Sequence, residues 1–361
     1  MYRKIFEWMH THERHLSALA MIAGFVVDNL FFNRIDLWQT QSVFAMYTAI
    51  CFVSIPFLHW IEARSALGVP HPRWSVIFLI MTQFALGGFW SGFVIFYWRS
   101  AVFGASWPFL LILILVFLGS EYFHHYHDRL VFTSTLFFFA LYSYAIFAVP
   151  IYTGTIGVFT FLGSGLVAIF VFSLFVSLLR KLGRERFLGD VWRIRTGAIF
   201  VFILINVSYF MNILPPLPLS AAETGVYHSV WNIPNAYFAN AETNPWFVRY
   251  LGFTPTLHIA HGETLSAYSS VFAPTSIKTK IVHRWQWYDQ IEKKWITKAI
   301  VSYSIFGGRD GGYRGYSTAR MNEIGKWRVD VETTDGRLIA RLPFKVELVE
   351  VLPLKTTITL D

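Results

Sequence analysis

The chain has 361 residues, 55% of them hydrophobic and only 14% charged, with 36 Phe, a mean hydropathy of +0.46 and a formal net charge of +8. A soluble globular chain carries about 25% charged residues, so this composition argues against an ordinary soluble protein. One cysteine, Cys51, excludes an intramolecular disulfide. No basic stripe interleaved with aromatics occurs on a polar segment, which argues against a nucleic-acid partner.

In chain order, apolar runs occupy residues 16 to 32, 41 to 61, 74 to 98, 106 to 123, 129 to 149, 155 to 179 and 195 to 212. A hydrocarbon layer of roughly 30 Å needs about 20 helical residues. Each run meets or approaches that length, so residues 1–212 are expected to form a polytopic α-helical membrane domain with seven transmembrane helices, its main partner the lipid bilayer.

Lys and Arg resist translocation and collect in cytoplasmic loops. With the N-terminus inside, the inner segments hold Arg3, Lys4, Arg14, Arg64, Arg73, Arg129, Arg180, Lys181, Arg184, Arg186, Arg193 and Arg195, and the outer loops only Arg34 and Arg99. This bias predicts a bacterial cytoplasmic (inner) membrane protein with a cytoplasmic N-terminus and a periplasmic tail. The first run contains Asp28 and Asn29 and lacks a small-residue cleavage site, so it reads as a retained helix rather than a signal peptide.

The last helix stops at Asn212-Ile213-Leu214-Pro215-Pro216-Leu217-Pro218, because proline removes a donor and disfavours helix before it. Residues 213–256 are rich in Pro and aromatics and are expected to form an irregular neck with a short helix near 235 to 252. From about Thr264 the apolar period becomes two. Leu265 to Ala273, Ile277 to Tyr288, Trp295 to Phe306, Trp327 to Thr333 and Leu338 to Leu348 read as strands, the second pair joined by a turn at 289 to 294 and the last pair by Asp335-Gly336. Trp295, Thr297, Ala299, Val301, Tyr303 and Ile305 fall on one face of their strand, and the row Trp285, Trp287, Trp295 and Trp327 is expected in the core. Two one-sided antiparallel sheets bury their apolar faces together, so residues 257–361 predict an all-β sandwich of immunoglobulin-like type, without a cysteine pair.

Val271-Phe272-Ala273-Pro274-Thr275, Ile281-Val282-His283-Arg284-Trp285, Gly307-Gly308-Arg309, Gly312-Tyr313-Arg314-Gly315-Tyr316-Ser317, Gly325-Lys326-Trp327-Arg328-Val329 and Asp335-Gly336 together resemble the bacterial family called domain of unknown function 2914. The resemblance reaches back over Pro215 to Ser220 and Gly225 to His228, and more weakly into Val149-Pro150 and Phe161 to Gly165. It implies a bacterial envelope protein with a terminal β domain. It brings no catalytic residue and no ligand.

Three groups of residues invite a chemical reading. In Gly307 to Tyr316 the glycines permit positive φ, Arg309 and Arg314 suit a carboxylate or phosphate, and Tyr313 and Tyr316 suit a sugar ring; the alternative is a long glycine-rich connection whose arginines cover aromatic faces or pair with Asp310. No Gly-Lys-Ser or Gly-Lys-Thr follows, so it is not a nucleotide loop. Glu121, His124, His125 and Asp128 would share one helix face, as metal ligands or as an interfacial polar belt. Asp28 and Asn29 are polar positions inside an apolar run, structural or part of a proton path. The sequence points to a non-enzymatic protein needing no cofactor, whose β domain binds an envelope glycan, a lipid-linked precursor or a protein partner. A membrane-embedded metal enzyme or transporter using the His/Glu/Asp cluster is the alternative.

Overall fold

The computed structural model describes residues 37–65, 67–69, 72, 75–100, 107–108, 111–112, 115, 126–216, 218–234, 236–242, 254–275, 277–308 and 311–360. The chain divides between Leu214 and Pro215 into a helical unit and a β unit.

The helical unit contains α1 (Trp38–Ser65), α2 (Ser75–Ser100), α3 (Tyr126–Thr153) and α4 (Val158–Phe210). Among the described residues, five stretches are long and apolar enough to cross a membrane: Trp38–Ser65, Ser75–Tyr97, Leu130–Thr153, Val158–Leu182 and Gly189–Phe210. They correspond to five of the seven expected spans. The span at 16 to 32, with Asp28 and Asn29, lies outside the described residues. So does most of 106 to 123, where helical backbone is seen at 107–108, 111–112 and 115.

The expected loop at 180 to 195 is instead helical, and α4 runs through it. The helix is nevertheless not straight. Phe161 and Tyr209 stack with ring centroids 3.6 Å apart, whereas a straight helix would separate them by about 70 Å. The helical run therefore reverses, and its two arms, Val158–Leu182 and Gly189–Phe210, lie antiparallel.

α3 packs against both arms and is the most enclosed of the described spans. Phe138 meets Phe172 at 4.8 Å and Phe137 meets Phe175 at 4.9 Å. Tyr142 stacks between Phe161 and Phe202, and its hydroxyl accepts a hydrogen bond from Asn206 Nδ2 at 3.2 Å. α1 and α2 run antiparallel, with Phe57 on Phe78 at one end and Phe44 on Phe93 at the other. Ser54 and Thr82 share a buried hydrogen bond of 2.6 Å in which either hydroxyl donates, and the one that accepts is free to donate to a carbonyl of its own helix. Among α2 and α3 the order is parallel: Trp90 lies on Phe139 and Tyr97 on Phe147.

Among the described residues the β unit has eleven strands: β1 (Ser220–Tyr227), β2 (Ser229–Ile233), β3 (Ala236–Glu242), β4 (Thr256–Ile259), β5 (Thr264–Phe272), β6 (Lys278–Asp289), β7 (Lys294–Phe306), β8 (Tyr313–Arg320), β9 (Gly325–Thr333), β10 (Leu338–Leu348) and β11 (Lys355–Leu360). They form three sheets, ordered β1-β5-β8, β4-β10-β9-β6-β7 and β11-β3-β2. The first two pack face to face as the expected β-sandwich. Leu265 and Ala267 of β5, Trp285 of β6, Trp327 and Val329 of β9 and Phe344 and Val346 of β10 form its core. The β6–β7 and β9–β10 hairpins stand where alternation places them, with Gly336 at positive φ in the second turn.

Four features differ from expectation. Residues Ser220–Glu242, read as irregular neck with a helix beginning near 235, form β1, β2 and β3 instead. Their alternation is blurred because β1 and β3 are half-buried on both sides. The pairing of β4 with β10 is parallel, in a sheet expected to be wholly antiparallel. In β7 a bulge opposite Trp285/Gln286 breaks the single face from Trp295 to Ile305: Ala299 lies opposite Trp285 on the core face, while Trp295 and Thr297 lie opposite Tyr288 and Gln286 on the outer one. Trp295 is accordingly outside the core, with the Arg328 guanidinium 4.2 Å from its ring centroid. The third sheet is a further layer. Val230, Ala239 and Leu360 from it close over Tyr268, which points away from the sandwich core. β5 is thereby covered on both faces, which is why Ser266, Tyr268, Ser269 and Ser270 are all buried.

Candidate ligand-binding surface

The glycine-rich segment is pinned where it leaves β7. Gly307 N–H donates to Ile277 O (2.9 Å) and Gly308 N–H to Ala273 O (3.0 Å). A Cβ on Gly307 would sit 1.6 Å from the Pro274 carbonyl oxygen, so only glycine fits there. Where it enters β8, Ser270 Oγ donates to Gly311 O, and Gly312 takes φ +80°.

β8 then divides the predicted residues by strand alternation. Tyr313 packs on Phe306, ring centroids 6.2 Å apart. Arg314 and Tyr316 lie on the opposite face, across from Ser270 and Tyr268 of β5. Tyr313 and Tyr316 therefore cannot clasp one ring together. Arg309 lies outside the described residues.

The third sheet supplies what the sequence did not mark. Tyr237 of β3 reaches over Arg314: its hydroxyl donates to Arg314 O at 3.4 Å, and the guanidinium lies 6.0 Å from its ring centroid. Tyr237 also meets Tyr316 edge-on at 6.4 Å and Tyr268 at 5.7 Å. Arg314 Nε is buried and, among the described residues, makes no hydrogen bond. Tyr316 is exposed. Burial foremost, and then the nearby Glu223 carboxylate, push the Tyr268 hydroxyl well above the usual phenol range, with Arg314 pulling the other way. Tyr268 stays a neutral hydroxyl. The surface thus offers one guanidinium framed by three phenol rings, a combination suited to an anionic group carried on a flat or ring-shaped ligand.

The β unit holds other polar clusters. In the sandwich core, His283 bonds Ser269 Oγ through Nε2 (2.8 Å) and Ser317 Oγ through Nδ1 (2.9 Å), while Tyr303 and Trp285 complete the set. It has no carboxylate partner in that set and no exposure, so it reads as internal support. On the outer face of the five-stranded sheet, Arg341 grips Asp330 with two bonds of 2.7 and 2.8 Å, and Arg284 pairs with Glu332.

Among the described residues no group of three or more His, Cys, Asp or Glu is arranged to hold a metal ion. Glu121, His124 and His125 lie outside those residues; Asp128 lies in the first turn of α3.

The described residues thus define a chain with five apolar helical stretches long enough to cross a membrane, followed by a β-sandwich. Residues 278–346, from the start of β6 into β10, match the model of the family described as "Protein of unknown function (DUF2914)", the family that the sequence motifs resemble. No curated protein matches the chain. Two solved structures show weak likeness. An immunoglobulin-like protein from Pseudomonas aeruginosa is 12% identical, with 36% of this chain and 98% of that one covered and a TM-score of 0.21. The alkylpurine DNA glycosylase AlkC of Pseudomonas fluorescens, bound to DNA containing an abasic site analog, is 11% identical over 87% of this chain and 99% of that one, with a TM-score of 0.22. At these scores neither carries an argument about this fold or its role.

Proposed function

We propose that the chain is a non-enzymatic bacterial inner-membrane protein that crosses the bilayer seven times and holds its β domain, of immunoglobulin-like type, on the periplasmic side to bind an acidic envelope ligand. That ligand is a glycan, a lipid-linked precursor or a protein partner bearing carboxylate or phosphate. The observation that carries the reading is Arg314, half-buried between Tyr237 and the exposed Tyr316 with one N–H unbonded. A buried guanidinium N–H that finds no acceptor among the described residues is ready for an anion.

The parallel course of α2 and α3 supports the span count. Two successive spans that point the same way require the chain between them to recross the bilayer, which is the role expected of 106 to 123. With the run at 16 to 32 added, the crossings become seven and the tail emerges opposite the N-terminus. Arg64 at the end of α1 and the cationic turn of α4 then share the cytoplasmic side, in line with the charge rule.

Cys51 is buried, so single cysteines introduced on a Cys51→Ser background report topology. Thr155→Cys and Ile291→Cys should label with a membrane-impermeant maleimide in cells whose outer membrane alone is opened, and Leu67→Cys only after full lysis. Labelling of Leu67→Cys before lysis overturns the topology. For ligand binding, full-length protein in nanodiscs should retain cell-wall fragments and lose them with Arg314→Ala or Tyr316→Ala; equal retention by wild type and both variants overturns the surface.

A further inference from the structure

The five-stranded sheet ends at β7, the longest of the strands that stand at a sheet margin. A margin presents unpaired N–H and C=O groups, and proteins shield it with charge, proline or brevity. β4, at the opposite margin, has only 4 residues. β7 keeps its charges, Lys294 and Lys298, in its first half, where Lys298 is also the bulged residue. From Ala299 to Phe306 it carries neither charge nor proline.

The direction in which its backbone groups point follows from the pairing. Gly307 N–H donates to Ile277 O, which makes these two a hydrogen-bonded pair, in register with Lys278 opposite Phe306. Such pairs alternate along an antiparallel ladder. Ile305, Tyr303, Val301 and Ala299 therefore bond to β6, and Phe306, Ser304, Ser302 and Ile300 turn their N–H and C=O away from it. These four side chains are also exposed, Ile300 by 58% and Phe306 by 53%. An apolar residue stands at each end of the open stretch, with two serines between.

We propose that a second copy of the chain docks on this margin, β7 pairing antiparallel with β7 about a two-fold axis at Tyr303. A two-fold contact needs a self-complementary surface, and this register supplies one. Ile300 falls opposite Phe306 of the second copy and Ser302 opposite Ser304, so every outward residue exchanges both backbone bonds with another outward residue. Apolar meets apolar and hydroxyl meets hydroxyl. Lys298 falls opposite Gly308, so no two lysines face each other. Moving the axis one residue loses the match: at Ser302 it sets Phe306 against Lys298, and at Ser304 it sets Ile300 against Gly308. The paired margins make one continuous sheet through both copies.

The contact involves the β unit alone and depends neither on Arg314 nor on the number of spans. On the Cys51→Ser background, two differently tagged full-length copies would be co-expressed, one with Ser302→Cys and the other with Ser304→Cys, and isolated membranes oxidised. A hydrogen-bonded pair holds its Cα atoms about 5.5 Å apart, within disulfide reach. A product carrying both tags should appear at twice the monomer mass, and should be lost when Ile291→Cys, in the turn before β7, replaces Ser304→Cys. Ser302→Pro removes an N–H that β6 does not use. Energy transfer between fluorescently tagged copies in membranes should then fall to background, with the tryptophan emission of the wild type kept. Should that variant lose its fold, Ser302→Lys with Ser304→Lys, which opposes like charges on an exposed face, should give the same fall. Absence of the disulfide-linked dimer, equal linkage through Ile291→Cys, or energy transfer that survives these substitutions overturns the proposal. Linkage of Ser302→Cys to another protein in place of the dimer also overturns it, and makes the margin a seat for a foreign strand.

Discussion

His283 Nε2 lies 2.8 Å from Ser269 Oγ, joining the two sheets through the middle of the sandwich core. Burial pushes this imidazole down to about 4, so it is neutral in the folded domain, whereas an unfolded histidine takes up its proton near pH 6.5. The unfolded chain then binds more protons than the folded one between those values. Stability from this site is complete above about pH 6.5 and is lost as pH falls toward 4, at a slope approaching about 1.4 kcal/mol per pH unit. In denaturant melts followed by tryptophan fluorescence, the wild type should lose stability between pH 6.5 and 4 more steeply than a His283→Asn variant. Equal slopes would show that His283 does not carry the acid lability.

Gly307 and Gly336 separate two reasons for glycine. At Gly307 a side chain would strike the Pro274 carbonyl, so Gly307→Ala should cost about 2 kcal/mol or more through a backbone shift. At Gly336 the need is conformational: φ is +79° and the space beside it is open. Gly336→Asn should cost under about 1 kcal/mol, because asparagine tolerates that region. Thermal midpoints of the two variants, measured side by side, check the order.

Asp330 is buried on the outer face of its sheet and is held by Arg341 in a two-bond fork, with Arg328 at 3.6 Å. Removing it leaves two guanidinium groups facing each other. Asp330→Ala should therefore destabilise by about 2 to 3 kcal/mol, less than a fully buried pair because Arg341 is partly exposed. Glu292→Ala, which breaks a solvent-exposed pair with Lys294, should fall within about 0.5 kcal/mol. Chemical denaturation of the two variants gives the comparison.

Apolar length and period-two alternation made most of the architecture readable. The described spans stand where their runs are long enough for a bilayer, and the two hairpins stand where alternation meets a turn. The bulge in β7 was hidden because one extra residue, Lys298, leaves the letter pattern intact while rotating Trp295 to the other face. β1 to β3 were hidden for a different reason: strands half-covered on both sides lack a clean polar face. Arg314 and Tyr316 stood out through their glycine-rich setting, but Tyr237 and Tyr268 join them only through pairing between strands far apart in sequence, which no local spacing records.

Sheet β11-β3-β2 also imposes an order of events on biogenesis. β2 and β3 leave the ribosome well before β11, the strand that flanks β3 on its other side. Until Lys355–Leu360 pair with it, β3 has an open margin and Tyr268 of β5 lacks its Leu360 lid. Closure of this layer therefore waits on the strand that lies last of the three in the chain, and the margin of β3 is the surface left open in that interval.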